Sequence, residues 1–211
     1  YQLLERIKKV KQYENKLFQF FGLDKGKSFS SLRKLELCRE IYQYLRPLIK
    51  LYFPSLKIFI YQESDEINEM IDLSYLPEGL EELLIMEENK IIKNIPQRLG
   101  YLKLINNTKI KDEEIGKLKN LKSLDLKDCR NKNYATSSIL KELNNLKELH
   151  LPSNKNPKTI KEWNQIEKVY ITTLISDDDL KSIPKSIEIV VSKTQFEGCF
   201  EKERKISIMN Y

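Results

Sequence analysis

The chain has 211 residues, of which 40% are hydrophobic and 32% are charged, so its length and composition can build one sizeable folded domain. The net charge of +6 could serve nucleic acid, but lysine alternates with Glu and Asp along nearly the whole chain, as on an ordinary solvated surface. The sequence has no uncharged apolar stretch of about 18 residues and no CxxC pair, which argues against a transmembrane segment and a zinc site.

The first predicted element is an amphipathic helix within residues 1–30. Leu3, Ile7 and Val10 recur at helical spacing, and Leu17 and Phe21 continue mostly the same face. We expect this segment to be an N-terminal helical cap that closes the structure following it. The lysines at 8, 9 and 11 leave a second use open, as a helix that binds a partner or a membrane surface.

A repeated pattern starts near residue 32 and is clearest in IPQRLGYLKLINNTKI, residues 95–110. Leucines at 99, 102 and 104 and asparagine at 107 give LxxLxLxxN, which fits neither a helix face nor a strictly alternating strand. Similar runs, separated by 19 to 25 residues, begin at Leu32, Leu56, Leu80, Leu99, Leu121, Leu146, Ile166 and Ile187. Of the 24 residues at positions 1, 4 and 6 of these eight runs, only Ser192 is not apolar. The pattern therefore indicates a true internal repeat.

The segment from about residue 32 to 196 resembles the leucine-rich repeat superfamily, which has this motif at a period of about 20–29 residues. Three repeats also place a proline three residues ahead of position 1, in LPEGL (76–80), IPQRL (95–99) and IPKSI (183–187). This spacing is similar to the proline-containing repeats of several bacterial and parasite proteins.

The resemblance implies an α/β fold, a leucine-rich-repeat solenoid shaped as a right-handed horseshoe of about eight repeats. Each repeat gives one short strand to a parallel concave sheet, and its three apolar positions stack into a shared core. The connecting segments form a mixed helical and extended convex side, with helical character at Ile41–Lys50 and Thr136–Leu143. We expect the repeats to occupy residues 31–196 and a C-terminal cap, containing Phe200 and Ile206–Met209, to occupy residues 197–211.

The sequence gives no indication of a catalytic site, a cofactor site or a metal site. His150, the single histidine, falls at position 5 of its repeat and should point from the sheet into solvent, with no partner set for nucleophilic catalysis. The acidic run 177–179 is best explained as the first turn of a helix capped by Ser176. The carboxylates at 112–114 are expected in a turn or connector.

The outward positions 3, 5 and 7 of each repeat define the concave face, because side chains alternate along a strand. Repeats 2 to 4 place there an apolar patch that we expect to bind a partner: Ile58, Ile60, Leu84, Met86, Tyr101 and Ile105. A polar rim beside it, suited to specificity, comprises Asp125, Lys127, Glu148 and His150. The same numbering turns Ile189 and Val191 outward in repeat 8. Self-association through the patch, and a patch covered internally or misplaced by a register error, remain open alternatives.

These features favour a non-enzymatic module that binds a protein partner through its concave face. The resemblance extends to short repeat proteins that parasites or bacteria export to engage host proteins, and a chain that starts at Tyr1 is compatible with a removed signal peptide. Secretion or exposure to a host is therefore preferred to a cytoplasmic location. The alternative function is a structural subunit of a nucleoprotein assembly that uses the lysine-rich surface on phosphate, although the interspersed carboxylates argue against nucleic acid.

Overall fold

The computed structural model describes residues 12, 15, 28–62, 70–86, 91–105, 110–126, 137–151, 163–172, 176–192 and 205–209. Most of the expected N-terminal cap and most of the segment 197–211 lie outside these described residues. Lys127 of the expected polar rim also lies outside them.

A nine-stranded parallel sheet runs through the chain and has the strand order β1-β2-β4-β6-β7-β8-β9-β10-β11. These strands are β1 (Lys34–Cys38), β2 (Ile58–Gln62), β4 (Glu82–Met86), β6 (Tyr101–Ile105), β7 (Ser123–Asp125), β8 (Glu148–His150), β9 (Lys168–Ile171), β10 (Glu188–Ser192) and β11 (Ile206–Met209). The sheet places successive repeats side by side, as in an open leucine-rich-repeat solenoid. The predicted fold class is confirmed.

Positions 4 and 6 of each repeat form the inner layer of the sheet. Leu83 and Ile85, Leu102 and Leu104, and their counterparts in the following repeats are almost completely buried. The strands pair in the predicted register, with position 3 beside position 3, from Lys34↔Ile58 through Glu148↔Lys168. A single repeat could not bury this layer, so each repeat depends on its neighbours for a core.

Two backbone contacts recur in the repeats and set their geometry. The carbonyl of position 2 accepts from two successive N–H groups of the next repeat: Lys57 O accepts from Glu81 N and Glu82 N, each at 2.9 Å. Ahead of each strand, the N–H of position 1 donates to the carbonyl of the residue three places earlier. That residue is Phe29, Phe53, Pro77, Pro96, Leu118, Leu143, Trp163 or Pro184, and all except the half-buried Pro184 are buried. The prolines noted in the sequence are thus three members of a wider apolar position.

The convex side is mixed, as predicted. Its helices are α1 (Arg39–Tyr52), α2 (Asp112–Gly116), α3 (Ser137–Glu142) and α4 (Asp177–Ser182), and its strands β3 (Met70–Asp72) and β5 (Ile91–Lys93) form a second parallel sheet. The two helices expected from the sequence are confirmed in α1 and α3. The Tyr42 hydroxyl of α1 donates to the Asp72 carbonyl at 2.6 Å, which joins the helix to the small sheet.

Asp112 to Glu114 lie in a connector, as expected, between β6 and β7. They form the first turn of α2, and Ile115 of that helix is completely buried. Carboxylates are favourable at a helix N-terminus, and the buried isoleucine anchors the turn to the core.

The register of repeat 8 differs from the prediction. Ile189 pairs with Val169 and Val191 with Ile171, so Ile189 and Val191 lie in the core and are completely buried rather than turned outward. The reason is that repeat 8 has one residue fewer between position 1 and its strand. The Glu167 carbonyl therefore accepts only from Glu188 N, and Ile189 N donates instead to Lys205 O. Ser192 is therefore not a core position, which removes the one polar exception in the repeat pattern.

Strand β11 adds a ninth strand to the array, formed by the apolar part of the expected C-terminal cap. Ile206 and Ile208 align with Ile189 and Val191 and so continue the inner layer. Ile208 is 44% exposed because β11 is the last strand in the sheet order, and no further described strand covers it.

Candidate partner-binding face

The structure brings the predicted apolar patch together on the concave face, although less exposed than expected. Ile58, Leu84, Met86, Tyr101 and Ile105 are all half-buried. Met86 and Ile105 are direct register partners on neighbouring strands β4 and β6. The five side chains therefore form a contiguous apolar surface on β2, β4 and β6.

Ile60 does not belong to the accessible part of this patch, because it is only 6% exposed. Its register neighbours are Glu36 on one side and Leu84 on the other. Gln62, two residues along the same strand, donates a hydrogen bond to the Glu36 carboxylate. Ile60 therefore presents little surface on the face, contrary to the expectation that it would be exposed there.

The polar rim is centred on Asp125, which is buried at 3% exposure. Its carboxylate lies 3.2 Å from the Lys103 Nζ and 3.9 Å from the His150 Nδ1. A carboxylate this far from water needs a charged partner, and Lys103 on the adjacent strand provides it. Asp125 therefore holds Lys103 and His150 close together from a buried position, and its charge is not presented to solvent.

His150 lies on the concave face as predicted, but it does not extend freely into solvent. Its ring stacks on Tyr170 of the next strand with centroids 3.7 Å apart and planes 9° from parallel. Lys168 Nζ lies 5.4 Å from the centre of the same tyrosine ring and 3.5 Å from the Glu188 carboxylate. The sequence placed Lys168 and Tyr170 at outward positions but did not predict that Tyr170 would contact both His150 and Lys168.

Two pKa shifts describe the charges at the far end of this cluster. The hydrogen bond from Ser207 and the nearby charge of Lys168 lower the pKa of Glu188 despite its partial burial. Burial alone would lower the pKa of Lys168, but Tyr170 and Glu188 outweigh it and raise that pKa. The ion pair between Lys168 and Glu188 is thus favoured in its charged form.

Tyr101 lies at the boundary between the apolar patch and the polar rim. Burial raises the pKa of Tyr101 to about 12, and the carboxylates of Asp125, Glu82 and Glu148 add to the shift. Neither Glu82 nor Glu148 has an ion-pair or hydrogen-bond partner among the described residues, while both are half-buried. The centre of the face is therefore electronegative although the chain as a whole is basic.

A cavity of about 610 Å³ opens beside Tyr101 and Glu82 at the edge where β4, β6 and β7 begin. Arg98 and Lys122 line it together with two asparagines that brace the repeats. The Asn120 amide donates to the Gln97 carbonyl at 3.3 Å, and the Asn145 amide donates to the Lys119 carbonyl at 2.7 Å. The cavity thus continues the concave face onto the leading edge of the sheet.

The described part of the chain contains no group of three or more His, Cys, Asp or Glu side chains able to hold a metal ion. The acidic run at 177–179 opens α4, where Ser176 Oγ accepts from Asp179 N at 3.2 Å and donates to the Asp179 carboxylate at 2.7 Å. The predicted capping role of Ser176 is confirmed. No helix within the described ranges is long and apolar enough to cross a membrane.

No protein-family model matches the chain, and no curated protein is similar enough to count as a relative. Among solved structures, the chain is similar to an internalin (InlF) from Listeria monocytogenes, with 17% identity and a TM-score of 0.46. The match covers 77% of this chain and 48% of the internalin chain, so this chain spans about half the length of that structure. The leucine-rich-repeat-like fold is established here by the parallel sheet and its register.

Proposed function

We propose that the protein is a non-enzymatic interaction module that binds a protein partner through its concave face. The observation that carries the proposal is the apolar surface formed by Ile58, Leu84, Met86 and Ile105 on three adjacent strands. These side chains lie on the side of the sheet opposite the buried leucines, so the fold does not require them to be apolar.

A partner would remove from water the apolar area that these side chains still expose. Burying such area contributes about 25 cal/mol per Å², so a few half-buried aliphatic side chains can anchor a protein surface. The ion pair of Lys103 with Asp125 and the stacked His150 lie next to this anchor in fixed positions. Fixed polar groups beside an apolar centre favour specificity, because a wrong partner leaves them unpaired.

The patch can be tested with a matched pair of double variants. Met86→Asp with Ile105→Asp changes two register partners on the concave face, whereas Met70→Asp with Ile91→Asp changes a Met–Ile register pair on the convex sheet. Affinity capture from a eukaryotic cell lysate, quantified by mass spectrometry, should show that the concave variant loses its bound proteins and the convex variant keeps them.

Thermal unfolding of the same variants serves as the control. Met70 and Ile91 are exposed by 50% and 41%, and Met86 and Ile105 are half-buried, so neither pair should prevent folding. Undiminished capture by a folded Met86→Asp/Ile105→Asp protein would overturn the proposed binding face.

The proposal includes a location, namely that the chain acts outside the producing cell on a host protein. The support is the resemblance of its proline-containing repeats to those of exported bacterial and parasite proteins. Immunodetection in the culture medium and in host-cell fractions tests it directly. Retention of all the protein inside the producing cell would overturn the location and leave the binding face untouched.

Binding to nucleic acid in a nucleoprotein assembly is less well supported by the described lysines. Several of them form ion pairs between neighbouring repeats: Lys57 with Glu81 at 2.6 Å and Lys147 with Glu167 at 2.7 Å. These carboxylates neutralise the basic surface locally. A binding constant for RNA or DNA that falls steeply as salt rises would favour this alternative over the protein partner.

A further inference from the structure

We propose that protonation of His150 regulates the concave binding face by drawing the carboxylate of Asp125 away from Lys103. The inference rests on the proposed function and names the regulation of that same face. While His150 is neutral, Lys103 is paired with Asp125 and the apolar patch is open to a partner. Once His150 is protonated, the Lys103 ammonium is released beside the patch, so the partner should bind more weakly as the pH falls.

One buried carboxylate oxygen lies between two basic groups from neighbouring strands. The Asp125 Oδ2 is 3.2 Å from the Lys103 Nζ and 3.9 Å from the His150 Nδ1. The Asp125 side chain is only 5% exposed, and the other two side chains are exposed by 22% and 20%. Water therefore screens these charges weakly, and a new charge on His150 acts strongly on the carboxylate.

The stack of His150 on Tyr170 holds the imidazole beside this carboxylate. The two ring centres are 3.7 Å apart and the ring planes are 9° from parallel. The electron-rich face of a tyrosine attracts a cationic ring, so the same stack favours the protonated histidine. Asp125 on β7 and Tyr170 on β9 therefore attract the imidazolium from the two strands that flank it.

The remaining charged groups around His150 differ in sign. Glu148, two residues earlier on the same side of β8, favours the imidazolium. Lys168 on β9 opposes it, but its Nζ lies 3.5 Å from the carboxylate of Glu188 on β10, which offsets its charge. Lys103 opposes it as well, because two cations then compete for one carboxylate. Protonation of His150 thus weakens the contact that holds Lys103.

Release of Lys103 would act directly on the apolar patch. Lys103 lies between Tyr101 and Ile105 on the outward side of β6, and its register partner on β4 is Leu84. Tyr101 stays neutral in the range concerned, because burial raises its pKa to about 12. An ammonium that is no longer paired must lose water when an apolar partner covers these residues, and burial of an unpaired charge is unfavourable.

The first test needs no partner. The chain has one histidine, so the ring C2–H signal in NMR spectra reports a single titration. Asp125→Asn should move the midpoint of this titration to lower pH by about one unit, and Lys103→Met should move it to higher pH. The matched controls Glu142→Gln and Lys119→Met break an ion pair away from the concave face and should not move it. Unchanged midpoints in both Asp125→Asn and Lys103→Met would overturn the competition for the carboxylate.

The second test measures binding by the full chain. A histidine-free peptide that depends on Met86 and Ile105 is selected from a phage-displayed library and measured at about pH 7.5 and about pH 5.5, a range that contains the ordinary pKa of histidine alone among the side chains. The wild type should bind it about tenfold or more weakly at the lower pH, as expected for one charge left unpaired on binding. His150→Gln should bind with equal affinity at both.

Lys103→Met separates the release of Lys103 from a direct effect of the charge on His150. In this variant the histidine still titrates but no ammonium is released, so the affinity should again be equal at the two pH values. A tenfold loss that persists in Lys103→Met would overturn the release, and equal wild-type affinities would overturn the regulation. Failure to select any peptide that depends on Met86 and Ile105 would overturn the proposed binding face, and the NMR titrations would then still decide the competition for Asp125.

Discussion

The concave face has two halves that share one core but differ in how many aliphatic side chains point outward. In the first half, β2, β4 and β6 have five residues each and expose aliphatic side chains; in the second, β7 and β8 have three residues and carry charged and aromatic ones. Their inner residues are equivalent, since Leu102 and Leu124 are both completely buried. The inner layer thus sets the fold, and the outer layer is free to specialise.

The two halves also differ in how far their outward side chains satisfy one another. In the second half, Tyr170 contacts both His150 and Lys168, and Asp125 pairs with Lys103 on the neighbouring strand β6 of the first half. In the first half, the outward groups of β4 and β6 are aliphatic apart from Glu82, Tyr101 and Lys103. The first half therefore has more to gain from a partner, and the second half is better suited to orient one.

The largest expected effect on the free energy of unfolding comes from comparing a side chain of the inner, buried layer of the sheet with one of the outer, concave layer. Leu124→Ala removes a completely buried side chain and should destabilise the protein by about 3–5 kcal/mol, whereas Leu84→Ala on the outer face should cost about 1 kcal/mol. The midpoint of urea denaturation measures both. Equal losses would mean that the outer face supports the fold as strongly as the core does.

A smaller effect contrasts two acidic residues of the second half. Asp125→Asn leaves Lys103 without its buried partner and should cost about 1–3 kcal/mol, while Glu148→Gln should stay within about 0.5 kcal/mol of the wild type. Denaturant titration of each variant and of Asp125→Asn/Lys103→Met checks the assignment. If Lys103→Met does not recover part of the loss, the ion pair is not its source.

The smallest effect concerns the titration of Tyr101 at the boundary of the two halves. Its pKa is raised to about 12, so its contribution to stability is complete below the unfolded value of about 10 and is lost as pH rises towards 12. Ultraviolet difference spectra against Tyr101→Phe isolate this one group. In Glu82→Gln/Glu148→Gln the pKa should fall but stay above 10, because burial is the larger cause; an unchanged value would contradict the electronegative centre.

The sequence predicted the sheet well because buried leucines at positions 4 and 6 allow only one way for adjacent strands to align. It failed at repeat 8, where Ile189, Val190 and Val191 form an unbroken apolar run, so the sequence does not show which of two registers, one residue apart, the strand adopts. It also missed the small sheet of β3 and β5, since three-residue strands have too little periodicity to detect. In both places the local sequence pattern was ambiguous or too short, whereas the repeated burial of positions 4 and 6 correctly predicted the main sheet.

The candidate site was harder to predict than the fold. Alternation along a strand gives the side on which a residue lies, but neighbouring side chains determine whether it is accessible. Ile60 is covered because of Glu36, Leu84 and Gln62, which come from three different strands. The stacking of His150 on Tyr170 likewise depends on a contact across repeats that no single repeat encodes.

The backbone contacts at the start of each strand give the array one permitted and one forbidden place for proline. Three residues before position 1 the recurring contact uses the carbonyl, and three repeats place a proline there. Leu118 and Leu143 also donate their N–H groups, to the carbonyls of Ile115 and Leu140, so a proline at either site would keep the turn to position 1 but lose that bond. At positions 2 and 3 the N–H groups hold the neighbouring repeat, and a proline there would break the junction. As the sequences of such repeats diverge in evolution, proline should accumulate three residues before position 1. It would then mark the start of each strand even after the leucines have changed.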